Sequence, residues 1–389
     1  MAVRAAEARR LILVVGSGAF AGALATRVTD PMVGVIAHDF GVPVATAALL
    51  ATAYALPLAA VQPVLGPVAD GMGKRRVMAA GLVVMALALA ACALAPSFGA
   101  LFAARMLAGA ASGATMPLAM ALIGDTVPIE ERQVALSRLL VFAITGQVAG
   151  GAAAGVLEAH LGWRGVMGLC AVVALVAALV VRTAPLPGVP EAAAGRFSLD
   201  QALGRYRAIL SNRAALELYA AVCVEGAVVF GSFPFFATML TTRGLGGVTE
   251  AGMAIGAFGA GGFIYAALAR PLLTRFGQGA VVRLGGALGA AALLGLAVAP
   301  VWWGFVAAAL VLGVGFYMVH GAIQTRVSEV APVARASAMA LHACGFFIGQ
   351  SLGPILFGAG LAVWGTGAML ALFAVVLLSL SVVLGRRSH

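Results

Sequence analysis

Long uncharged apolar stretches recur along this 389-residue chain and leave it few ways to fold. A helix needs about 20 predominantly apolar residues to cross a hydrocarbon core of about 30 Å. Twelve windows are read as spans: 11–35, 44–65, 77–96, 99–122, 134–157, 164–183, 214–240, 251–269, 281–299, 303–325, 336–358 and 362–384. Backbone groups in lipid must be satisfied internally, which restricts the choice to helices or a closed barrel. Unbroken Leu, Ala, Val and Gly runs lack the alternation of barrel strands. With 62% hydrophobic and 10% charged residues, the composition excludes a soluble domain, whose surface needs about a quarter charged residues. An all-α polytopic membrane protein is predicted. Its first apolar stretch is a full span without a cleavage pattern, so a removable signal is not expected.

A net charge of +10 raises the question of nucleic acid, but its distribution argues otherwise. With the N-terminus inside, twenty Lys and Arg residues fall on the inner side against Arg164 and Arg243 outside. That asymmetry predicts both termini in the cytoplasm, at a cell inner membrane, and contact with anionic lipid headgroups. Cys92, Cys170, Cys223 and Cys344 are dispersed among separate spans without metal or redox spacing. No metal or cofactor is expected, and no catalytic triad or phosphate-loop spacing points to an enzyme.

Shifting the sequence against itself by 203 or 204 positions aligns landmarks in chain order. GQVAGGAAAG (146–155) meets GQSLGPILFG (349–358), DTVP (125–128) meets EVAP (329–332), Pro31 meets Pro234, and Gly73 meets Gly277. Two parallel six-helix halves are predicted, 1–183 and 214–389, as pseudo-symmetric bundles around a central cavity. The intervening 184–213 is a cytoplasmic linker. Within it, SLDQALGRYRAIL reads either as a short amphipathic helix on the inner surface or as a plain tether.

Residues 66–78, GPVADGMGKRRVM, interrupt two apolar runs with glycines, an acid and three bases. This stretch resembles the loop signature of the major facilitator superfamily, G-x-x-x-D-R-x-G-R-R/K. Gly66, Asp70, Gly73, Lys74 and Arg75 match, while Gly71 stands at the usual Arg. The resemblance implies a gate between helices 2 and 3. Asp70 would face the start of helix 11 near Arg335–Ser337, and Lys74 or Arg75 would pair with Asp125. RMLAGAASG (105–113) resembles the family's helix-4 signature R-x-x-x-G, with Ala108 at a frequent Gln. GQVAGGAAAG resembles the antiporter signature G-x-x-x-G-P-x-x-G-G, where Gly146, Gly150 and Gly155 fit but Gly151 occupies the proline position.

Ionisable groups inside spans are costly and therefore candidates for function. Arg27 and Asp30 share a face of helix 1 before Pro31. Arg105 lies at similar depth on helix 4, and the resemblance implies that it approaches Asp30. That pair reads either as a coupling device or as a static closure. Glu225 sits about 16 Å deep in helix 7, either as a proton or substrate site or as a neutral hydrogen-bonding group. Tyr317, His320 and Gln324 share a face of helix 10, His342 lies on helix 11, and Phe233 and Phe236 belong to an aromatic stripe around Pro234. These residues, His342 aside, and Glu225 are the candidate substrate contacts.

Two functions remain open at this stage. One is proton-coupled efflux of a small amphipathic organic solute or drug by a monomer, through alternating access. The other is import or facilitated passage of a small organic metabolite, which Gly151 favours by standing where antiporters carry proline.

Overall fold

The computed structural model describes residues 2–186, 199–331 and 334–386, apart from the side chains of 2–6, 66, 67, 70, 129, 130, 199–203 and 336. Thirteen α-helices follow in chain order: α1 (Ala2–Arg27), α2 (Val33–Phe40), α3 (Val44–Met72), α4 (Lys74–Ala93), α5 (Phe98–Ser112), α6 (Met116–Thr126), α7 (Ile129–Thr183), α8 (Leu199–Leu210), α9 (Arg213–Phe230), α10 (Phe236–Thr242), α11 (Val248–Val298), α12 (Trp302–Val330) and α13 (Arg335–Arg386). Nine uninterrupted helical runs among the described residues have the length and apolarity to cross a membrane. Three of them, α7, α11 and α13, contain a glycine with non-helical geometry, at Gly162, Gly277 and Gly365. In α11, Gly261 and Gly285 both abut α12 near Gly313 and Gly315. A straight helix would hold those two glycines about 36 Å apart at 1.5 Å per residue, so the chain folds back at Gly277. Counting the folded-back helices twice gives the twelve crossings that apolar length predicts.

The predicted duplication is present in the backbone. Proline breaks the first span into α1 and α2 at a short 3-10 turn, Asp30–Met32, and the seventh into α9 and α10 at Phe233–Phe235. Positive φ occurs at Gly41 and Gly244 (63° and 64°), Gly73 and Gly277 (90° and 74°), and Gly162 and Gly365 (64° and 77°), each pair one repeat apart. Only glycine takes these values without steric penalty, so each marks a place where the chain must reverse. Helix contacts repeat as well. A Cβ at Gly146 would overlap the carbonyl of Phe20, and one at Gly349 the carbonyl of Cys223. Gly109 meets Tyr54 as Gly313 meets Phe258. Small residues let these backbones approach within van der Waals contact, which is the main attraction available between helices in lipid.

The turns at Gly41, Gly162, Gly244 and Gly365 define a distal end. Gly73, Gly277, α8, the start of α1 and the end of α13 lie at the opposite, basal end. The two repeats meet in the distal half. One apolar cluster joins Val33, Ala37, Ala47 and Ala48 of the first repeat to Phe233, Phe236, Phe258 and Phe357 of the second. Two seams flank it. Gly155 of α7 lies against Gly252 of α11, and Gly358 of α13 faces Ala45 of α3. The basal cluster, around Val222, Ile323, Val327 and Ala338, belongs to the second repeat and α8 alone. Among the described residues, the halves are thus joined distally and parted basally.

At the distal rim Asp39 receives bonds from Trp163 Nε1 (3.0 Å) and from Arg164, whose guanidinium also reaches the Ala95 carbonyl. The second repeat uses Arg243 in an analogous way, donating to the carbonyl of Leu296 in the last turn of α11 (2.8 Å) and to that of Ala299 just beyond it. At the basal rim Lys74 pairs with Asp125 at 2.6 Å, as the resemblance implies. Arg75 does not share that pair. It donates to the carbonyls of Val181 (2.7 Å) and Arg182 (2.9 Å), capping the C-terminus of α7 where orphan carbonyls favour a cation. Gly73 makes the turn between α3 and α4. Gly66 and Asp70 lie in α3, but their side chains fall outside the described residues, as does that of Ala336 in the first turn of α13.

Candidate functional site

Two buried polar groups stand out, one at the junction of the repeats and one inside the second repeat. The first grows from the proline break in the first span. Because α1 ends at Arg27, its last-turn carbonyls lose their intrahelical donors. Arg105 of α5 supplies one, donating to Ala25 at 3.0 Å, and bonds Thr29 Oγ1 at 3.2 Å. Its guanidinium lies 4.3 Å from the centre of the Tyr54 ring. Arg105 is fully buried, yet every one of these partners belongs to the first repeat.

Asp30 is fully buried and pairs with Arg27 at 3.3 Å, its neighbour one helical turn back. The expected contact from Arg105 to Asp30 is not made, because Arg27 already holds the carboxylate and the freed carbonyl holds Arg105. Arg27 also crosses the molecular midline. It donates to Gln350 Oε1 of α13 and lies 4.1 Å from the centre of the Phe230 ring of α9. The carboxylate keeps one oxygen, Oδ1, without a partner among the described residues.

The second group lies within the second repeat. Glu225 of α9, fully buried, faces His320 of α12, with Oε2 and Nδ1 2.8 Å apart. The His320 ring stacks on Phe316 at 4.9 Å and touches Phe346 at 4.7 Å, so its orientation is fixed from two sides. His342 of α13 lies 5.2 Å from it, ring to ring, with Nε2 buried and without a partner among the described residues. Helical spacing puts Tyr317 and Gln324 on the His320 face, and Gln324 is exposed. Burying an unpaired charged group costs several kcal/mol, so pairing Glu225 with His320 is what permits both within lipid depth.

Phe233 and Phe236 are fully buried in a ring cluster with Phe258 and Phe305, at centroid distances of 4.9 to 5.0 Å. They form the plug of the sealed distal end and do not line open space here. A cavity of about 480 Å³ lies elsewhere, on the flank between α1 and the arms of α7. Its lining, Phe20, Val141, Phe142, Val172 and Val176 among others, is apolar apart from Ser17 and Thr145, and includes none of the predicted site residues. Its position makes it a lipid-facing groove.

Gln350, Thr29, Tyr54 and Phe346 are partners that the sequence reading misses. Gln350 carries a usable signal, being a polar residue inside an apolar span and the repeat-mate of Gln147. Thr29 and Tyr54 carry none, since only the packing of α5 against α3 and beside the break after α1 brings them to Arg105.

The fold, the repeat and the intramembrane charges converge with sequence comparison. A profile described as Major Facilitator Superfamily matches residues 15–334 and 247–388. The chain belongs to the major facilitator superfamily. As a member of that superfamily it is a multi-pass membrane transporter and not an enzyme. It is 30% identical over 352 residues to a probable transporter of Streptomyces coelicolor, covering 88% of this chain and 79% of that one. It is 32% identical over 230 residues to the chloramphenicol resistance protein of Streptomyces lividans, covering 59% of this chain and 57% of the relative. The puromycin resistance protein of Streptomyces alboniger matches at 35% over 158 residues, 39% of this chain and 30% of that protein. These two matches span about half and a third of the relatives' lengths. Among solved structures, the nucleoside transporter NupG superposes with a TM-score of 0.77 at 18% identity over 96% of this chain and 98% of that one. The human organic anion transporter TETRAN gives 0.71 at 17% over 97% and 99%. Both likenesses are of fold.

Proposed function

We propose that the protein exports a small amphipathic organic solute in exchange for protons. Residues 1–183 and 214–389 would rock as two halves across the 184–213 linker. The twenty-to-two distribution of bases supports a cytoplasmic basal end at the cell inner membrane, which makes the described conformation inward-facing. A single chain carries both halves of the central path, so a monomer suffices, with lipid, solute and protons as its partners.

The observation that carries this reading is the placement of the two buried acids. Asp30 neutralises the Arg27 that bridges to Gln350 across the midline, and Glu225 pairs with His320 beside the parted basal side. A proton arriving on Asp30 removes the partner charge of Arg27, loosening the distal closure. A proton exchanged at Glu225 passes through the imidazole to the basal side. Resistance proteins among the relatives support efflux of drug-like solutes. The aromatic surroundings of Phe230, Phe316, Tyr317 and Phe346 suit an amphipathic cargo. Gating falls to Gly66, Asp70, Gly73, Lys74, Arg75 and Asp125, and solute contact to Glu225, Tyr317, His320 and Gln324, with Phe233 and Phe236 joining once the plug opens.

Import or facilitated passage is the second reading, resting on Gly151 at the antiporter proline position. A Cβ there would overlap Ile255 of α11, so this seam has no room for a proline ring. Vesicles containing purified protein and a lumenal pH dye separate the two. Exchange predicts solute-triggered proton movement opposite to the solute, and import predicts movement with it. Asp30→Asn and Glu225→Gln should each abolish the proton signal while leaving the protein folded. Normal coupling in both variants refutes the assignment.

A further inference from the structure

The two halves are covalently joined by the linker, and its helix α8 packs on α9 and α13 of the second half, burying Ile209 in their apolar cluster. A hydrogen bond also reaches from α8 to the first half: Tyr206 Oη donates to the backbone carbonyl of Pro63 in α3 at 2.8 Å. That carbonyl is free for a chemical reason. In an α-helix the carbonyl of residue 63 accepts from the amide of residue 67, and residue 67 is Pro, which has no amide hydrogen. An unmatched carbonyl at the membrane edge needs a donor. The packing of α8 through Ile209 leaves Tyr206 where it supplies one, on the basal side where the halves are otherwise parted. Burial raises the pKa of the phenol, so it stays protonated and able to donate across physiological pH.

We infer that Tyr206, seated on the carbonyl released by Pro67, is a strap that ties the linker helix to α3 and favours the state parted at the basal end. This inference deepens the proposed function by assigning the linker a part in the rocking motion. It depends on the two-state motion but not on what is carried or on proton coupling. To close the basal end, α3 moves against the second half, and the bond joining it to α8 must break or follow. The amino-acid pattern of α8 fits a surface helix and a tether equally. The strap gives it a partner, and that partner exists because of a proline four residues away.

The test measures populations, not transport. Spin labels on Ser137→Cys of α7 and Thr274→Cys of α11, exposed on opposite halves at the basal end, report the basal gap by pulsed dipolar spectroscopy. The full chain is used in lipid nanodiscs, with its four native cysteines replaced by alanine. Tyr206→Phe should move the population ratio about two- to tenfold toward the short distance, the range for one hydrogen bond. Pro67→Ala gives the Pro63 carbonyl its own amide, so Tyr206→Phe should then change nothing further. An unchanged ratio for Tyr206→Phe with Pro67 present overturns the strap. So does an equal shift with and without Pro67, which would locate the phenol's effect elsewhere. A distance distribution that responds to Tyr206 while vesicles show no proton exchange keeps the strap and discards the coupling.

Discussion

At the level of single residues, the site is governed by which partner lies nearest when a charge is forced into lipid. Asp30 has Arg27 one turn away on its own helix, and that proximity decides its pairing before any tertiary contact forms. Arg105 then satisfies a helix end, using two directions of its planar fork at once. Lysine cannot reproduce that geometry. Arg105→Lys is therefore expected to lose at least about tenfold in transport rate, and Arg105→Ala still more, in the vesicle assay. Gln350→Leu keeps the side-chain volume but removes the acceptor for Arg27. Loss of a hydrogen bond to a buried charge costs about 2 kcal/mol, so this variant should open the distal end more often, read as faster labelling of a distal cysteine. The sequence announced that these charges mattered, since each is an ionisable group inside an apolar run. It did not announce their pairing, because Gln350, Thr29 and Tyr54 are neutral residues whose relevance appears only when α3, α5, α13 and the end of α1 are brought together.

At the level of elements, glycine does most of the specifying. The duplication was legible because turns and close contacts both demand glycine, and glycine recurs as a landmark at an offset of 203 or 204. Span boundaries were legible from apolar length. The proline breaks that split the first and seventh spans were visible only as Pro31 and Pro234, without their consequence for Ala25. Two substitutions separate the two uses of glycine. Gly277→Ala forces a side chain into a positive-φ, extended backbone (φ 74°, ψ 162°) that essentially only glycine adopts, and should cost about 1–3 kcal/mol, seen as a drop in the unfolding midpoint in detergent. Gly349→Val drives a branched side chain into the Cys223 carbonyl and must separate α9 from α13. Overpacking of this kind costs about 1–3 kcal/mol, and because α9 carries Glu225, transport should fall together with stability.

At the level of the whole molecule, the repeats touch along two matched seams at the distal end, and the seams supply a direct test of the motion. A Cβ on Gly358 would stand 3.4 Å from that of Ala45, close to the spacing a disulfide needs. Ala45→Cys with Gly358→Cys should cross-link under mild oxidation, arrest transport, and recover when the bond is reduced. Continued transport in the cross-linked protein would show that the seam does not separate during the cycle. Lys74 and Asp125 pose the opposite case. Their exposed pair joins two helices of one half, contributes at most about 1 kcal/mol, and should tolerate reversal of the two charges with little change in the unfolding midpoint.

The bond from Arg27 to Gln350 has a consequence for cargo. If the distal end opens as proposed, a guanidinium that leans on an amide and an aromatic face of the opposite half loses both, at a depth where hydrocarbon offers no replacement. Something with a lone pair must step in at that moment, whether water drawn down from the surface or an oxygen on the travelling molecule. A passenger that brings its own acceptor makes the opening easier for the transporter that carries it.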